Sequence, residues 1–149
     1  MKGYTLTVAK LQPSILVVDD EPNVVRLIQM HLKRHGYQVE TAHSGRQALA
    51  KIKANRPDLL ITDWTMPEMD GLELLGLVRQ DPALAGIPVI LLTARPNDVG
   101  SGERLREHVE WCKHRTPEIE ALHIDDVLLK PFNPKDLILV VESFLQRPI

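Results

Sequence analysis

The sequence predicts an α/β domain, a parallel sheet covered by helices on both faces. Three observations lead there. Short apolar runs at residues 15–18, 59–61, 89–92 and 127–129 have the composition of strands buried on both sides. Segments of helical periodicity lie between most of them, as crossover connections require. Each run ends in a reactive side chain: Asp19 and Asp20, Asp63, Thr93, and Lys130 before Pro131. Ligands of open α/β sheets bind at the carboxyl ends of the strands. The pattern therefore gathers three carboxylates, a hydroxyl and an ammonium at one edge, a set suited to a metal ion and a phosphoryl group.

The elements follow in order. Residues 1–13 carry little pattern and read as an extension before the first strand, and residues 14–149 read as one domain. A first helix is expected over 23–35, with Val24, Leu27, Ile28 and His31 at helical spacing and Gly36 as its stop. Residues 37–41 form a short second strand. Ser44 caps a second helix whose apolar side is Ala48, Leu49 and Ile52, ending before Pro57. Residues 66–71 form a loop by their Pro67 and Gly71, and a third helix carries Leu72, Leu75 and Val78. Asn133 caps the last helix, with Pro134 in its first turn and Leu137, Val140, Val141, Phe144 and Leu145 inward.

The segment 95–124 separates the fourth and fifth strands by about thirty residues, more than one crossover helix needs. It reads as a flexible lead-in at 97–102 and a two-part helix. The first part spans 103–114 with Leu105, Val109 and Cys112 on one face. The second restarts at Thr116 and Pro117 and carries Ile119 and Leu122.

Composition narrows the function classes. The 149 residues carry 18 Lys and Arg against 20 Asp and Glu, a formal net charge of −2. Direct nucleic-acid binding is not expected of that balance. The single cysteine, Cys112, excludes an internal disulfide. No run has the length of a leader or a membrane span, so the expected location is the cytoplasm, with no membrane partner.

Like charges ~4 Å apart repel by roughly 4 kcal/mol at an effective dielectric near 20. Asp19, Asp20 and Asp63 therefore need a proton or a cation to share one pocket. Oxygen-only ligands on a partly open site favour Mg²⁺.

In the stretches ILVVDDEP, PDLLITDWTMPEMDG, IPVILLTA and DDVLLKPF, in that order, the chain resembles the receiver domains of two-component response regulators, over residues 14–147. The resemblance implies a flavodoxin-like five-stranded parallel sheet of order 2-1-3-4-5, an order found in CheY. It implies Asp63 as phosphoacceptor, taking the group from a histidine kinase or phosphotransfer protein. Mg²⁺ would be held by Asp19, Asp20, Asp63 and the backbone carbonyl of Thr65. Lys130 would pair with Asp63 and then with the phosphoryl oxygens, and Thr93 would donate its hydroxyl to them. The Lys130–Pro131 bond is expected to be cis. The domain would signal to a downstream protein target rather than turn over a substrate. Whether it pairs with a second copy stays open.

Two departures stand out. The family usually places an aromatic residue three positions before the lysine, where this chain has Val127. A β-branched aliphatic has no ring to swing and a stiff χ1, so the enlarged 95–124 region either moves instead or is a rigid decoration or dimer contact. Arg95 and Thr65 flank the pocket and are expected to tune the acyl-phosphate lifetime. His108 and Cys112 have a metal-compatible spacing but lack a second ligand pair, His31 and His35 read as surface or interface residues, and His114 and His123 as surface residues. Trp64 follows Asp63 and is expected to report binding by fluorescence, with Trp111 as background. Two other classes remain open: a phosphorylation-independent binding module and a Mg²⁺-dependent aspartyl phosphohydrolase. Phosphohydrolases of the haloacid-dehalogenase type space their carboxylates two apart, whereas Asp19 and Asp20 are adjacent. The initial Met1 favours a stand-alone protein over a segment of a longer regulator.

Overall fold

The computed structural model describes residues 12–94 and 123–145. The expectations for most of the N-terminal extension, for Arg95, for the two-part helix with His108, Trp111 and Cys112, and for His114 lie outside the described residues. The described elements are β1 (Ser14–Val18), α1 (Pro22–Arg34), β2 (Gln38–Ala42), α2 (Gly45–Ala54), β3 (Leu59–Asp63), α3 (Gly71–Gln80), β4 (Val89–Ala94), β5 (Asp126–Lys130) and α4 (Pro134–Phe144). The strands pair in parallel in the order β2-β1-β3-β4-β5, as the resemblance implies.

Strand side chains alternate between two faces, and here both faces are dry. Leu16, Val18, Leu60 and Leu91 join α2 and α3 in one apolar cluster. Ile15, Val17, Leu59, Ile61, Ile90 and Leu92 join α1 and α4 in the other. Burial on both sides is why these strands read as continuous apolar runs rather than alternating ones.

Several local readings shift. α1 starts at Pro22 and buries Val25, Ile28 and Leu32, not the stripe through Val24, Leu27 and His31. Leu27 is 43% exposed. The sequence carries two overlapping apolar stripes, and periodicity alone does not choose between them. The helix closes through Gly36 at φ 88°, and the Tyr37 N–H donates to the Leu32 carbonyl, so β2 begins one residue later than expected. Ser44 caps α2 by accepting from the Gln47 N–H at 3.1 Å. In α4, Asn133 accepts from the Lys135 N–H at 2.9 Å, and Ile138 is buried beside Leu137 and Val141 while Leu139 is 66% exposed. The Lys130–Pro131 peptide bond is cis.

The loop expected at 66–71 is shorter. Gly71 is the first residue of α3, and Asp70 caps it by accepting from the Glu73 N–H at 2.8 Å. The Gly71 N–H donates to the Trp64 carbonyl at 2.8 Å, drawing the helix start onto the chain just after Asp63. A Cβ at position 71 would lie 2.2 Å from the Asp63 carbonyl oxygen. Backbone cannot yield as a flexible side chain does. Gly71→Ala is therefore expected to destabilise the domain by about 2–4 kcal/mol, read as a lower urea midpoint at unchanged slope.

Candidate acidic pocket

The parallel register levels the strand ends. Val18 sits opposite Thr62, Asp63 opposite Leu92, and Ala94 opposite Lys130. Asp19 and Asp20 leave β1 at the height where β3 ends in Asp63. Past that rung the Trp64 N–H still donates to the Leu92 carbonyl at 2.8 Å, which holds the end of β3 against β4.

The structure brings the three acids together, with carboxylate oxygens of Asp19, Asp20 and Asp63 within 4.8 Å of one another. Asp19 is fully buried, Asp63 is nearly so and Asp20 is exposed. Lys130 reaches both buried acids. Its Nζ lies 2.6 Å from Asp19 Oδ2 and 3.3 Å from Asp63 Oδ1. The lysine was expected beside Asp63, yet its shorter bond goes to Asp19. The fully dry carboxylate has the greater need of a counterion. The other oxygen of Asp19 accepts from the Glu21 N–H at 3.0 Å. Thr93 is buried at the end of β4, and Thr65 is exposed in the loop toward α3.

Burial, then the charge of Asp19, push the Asp63 carboxyl up to about 6, against the opposing pull of Lys130. For Lys130, burial acts downward, but the hydrogen bond and charge of Asp19, reinforced by Asp63, raise it above the ordinary lysine value. The Asp63 shift has a sign that can be tested. Without metal, the folded chain holds that proton more tightly than the unfolded one. The associated stability is complete below 3.8 and lost as pH climbs past about 6. The loss amounts to roughly 3 kcal/mol. Urea titrations of wild type and Asp63→Asn across this window, in a chelator, should diverge in that direction.

Three carboxylates facing one ammonium leave the pocket short of positive charge. Its donors are all oxygens, and one acid opens to solvent, which fits a hard divalent cation.

Other singled-out residues fall elsewhere. Val127 is partly buried and packs with Trp64, Met69 and Leu72 against the α2–α3 core. His31 and His35 line a groove of about 320 Å³ with Pro134, Lys135, Ile138 and Leu139. His123 is exposed. Sequence reasoning missed the paired Arg79 and Asp125, 3.1 Å apart. Among the described residues no helix is long and apolar enough to cross a membrane.

Comparison with known proteins gives a consistent picture. The profile of the response regulator receiver domain matches residues 15–110. The alkaline phosphatase synthesis transcriptional regulatory protein PhoP of Bacillus subtilis is 35% identical over 137 residues, which is 92% of this chain and 50% of PhoP. An uncharacterised 14.6 kDa protein of Leptolyngbya boryana is 35% identical over 89% of this chain and 90% of its own length. The solved chemotaxis protein CheY4 of Vibrio cholerae superposes with a TM-score of 0.73 at 30% identity, covering 90% of this chain and 99% of CheY4. The chain spans about half the length of the first curated relatives it matches.

Proposed function

This chain belongs to the family of response regulator receiver domains, and from that premise we propose that it accepts a phosphoryl group on Asp63 and signals through protein contacts. The donor is the phosphohistidine of a histidine kinase or phosphotransfer protein. An oxygen of Asp63 attacks phosphorus, the P–N bond breaks, and the imidazole leaves and takes up a proton. The product is an acyl phosphate. Phosphoryl transfer asks a protein mainly for positioning and charge neutralisation.

Each pocket residue has a part in this reading. Asp19, Asp20, Asp63 and the backbone carbonyl of Thr65 would hold Mg²⁺, which supplies positive charge beside the incoming phosphoryl oxygens. Lys130 balances the two buried acids before transfer and pairs with a phosphoryl oxygen after it. Thr93 donates its hydroxyl to another. Residues 14–149 are read as one receiver unit in the cytoplasm, acting on a downstream protein target and turning over no external substrate.

The observation that carries the proposal is Lys130 within reach of both Asp19 and Asp63 inside a cluster of three carboxylates. Incubation with acetyl phosphate and Mg²⁺, followed by intact mass, tests it. One phosphoryl group should be gained, and chelator should abolish the gain. An unmodified mass at saturating donor and metal would refute the assignment.

A further inference from the structure

We infer that Asp125 and Arg79 are positioning residues for Lys130, acting through the register of β5. The inference rests on the role given to Lys130 above. Asp125 immediately precedes β5 and faces Val89, the first residue of β4. Its N–H donates to the Val89 carbonyl at 3.1 Å, and its Oδ2 accepts from the Val89 N–H at 2.7 Å. The same oxygen accepts from Arg79 Nη2 at 3.1 Å. Arg79, at the end of α3, is nearly buried. Its Nη1 donates to the carbonyls of Ala85 and Ile87 at 2.7 and 2.6 Å, and its Nε and Nη2 to the carbonyl of His123 at 3.2 and 2.7 Å. The His123 ring lies 3.0 Å from Asp125 Oδ1. One guanidinium thus ties α3, the turn before β4 and the approach to β5 into a single knot.

That knot matters because it fixes the start of β5 against β4, apart from the packing of Val127 and Leu128. Among the described residues β5 is the last strand of the sheet, paired with β4 alone. Backbone ladders repeat along a strand, so register is normally chosen by which side chains suit each face. Val127, Leu128 and Leu129 are all apolar and discriminate weakly. A slip of one residue would carry Lys130 about 3.3 Å along the strand. Contacts of 2.6 and 3.3 Å to Asp19 and Asp63 do not survive that displacement. Asp125 supplies a rung tied to Val89 and, through Arg79, to the His123 carbonyl, and it lies at the opposite end of the strand from the lysine it places.

The test reads the rate of phosphorylation by acetyl phosphate from intact mass, and Mg²⁺ affinity from Trp64 fluorescence in a Trp111→Phe background. Asp125→Ala is expected to slow phosphorylation about tenfold or more with no loss of Mg²⁺ affinity, since a displaced lysine leaves the pocket more negative. Added to Lys130→Ala it should cause no further loss, because the lysine it serves is already gone. Asp125→Asn keeps an acceptor for the Val89 N–H but loses the charge facing Arg79. It should show a smaller deficit of the same kind, and it carries the test if the alanine variant does not fold. Equal slowing in both backgrounds, parallel loss of Mg²⁺ affinity, or an unchanged rate would overturn the inference. Should Lys130→Ala alone leave the rate intact, the assignment of Lys130 fails first, in a measurement that involves no Asp125 variant.

Discussion

Asp63→Asn is expected to end acyl-phosphate formation, lowering the rate at least about 10³-fold, since the proposed nucleophile is removed. An amide offers no comparable attacking oxygen, and Asp19 and Asp20 are no substitutes. Asp19 is dry and held at both oxygens, by the Glu21 N–H and by Lys130. Asp20 is exposed to water. Intact mass with acetyl phosphate and Mg²⁺ reads the result directly. A variant that still gains a phosphoryl group would place the acceptor elsewhere. Metal-free Asp63→Asn should also be more stable than wild type at neutral pH, because burial and Asp19 make the native charge unfavourable.

Lys130→Ala should separate the two duties of the lysine. Phosphorylation is expected to slow by about 10²–10³, as when one preorganised charge is removed from a transition state. Stability without metal should fall by about 3–5 kcal/mol, because Asp19 is left buried with no counterion. Added Mg²⁺ should then recover more stability in the variant than in wild type, since a second source of positive charge enters a more negative pocket. Urea denaturation with and without Mg²⁺ measures both effects. Equal stabilisation of the two proteins would mean that the lysine and the cation answer different needs.

Much of this arrangement is legible in the sequence. Strands buried on both faces announce themselves as unbroken apolar runs, and the residues that end those runs are the ones the parallel register brings level. Helix faces were less readable. Val24, Val25, Leu27, Ile28 and Leu32 support two stripes, and only the sheet beneath selects Val25, Ile28 and Leu32. The start of α3 did leave a signal, an Asp70 three positions before Glu73 in the manner of a capping box, which the neighbouring Pro67 and Gly71 obscured. Pairings across long separations leave no such trace. Lys130 lies 111 residues from Asp19, and Arg79 lies 46 from Asp125. Each residue alone is an ordinary surface type, so the preference of Lys130 for Asp19 and the knot at Asp125 emerge only once the chain is closed.

The outward surfaces of the helices stand apart from the pocket. Leu27, Met30, Leu77 and Leu139 stand exposed on α1, α3 and α4, while Asp19, Asp20, Asp63 and Lys130 cluster at the strand ends. A substitution at such an outward position changes the face the domain presents and leaves the ion pairs of the pocket untouched.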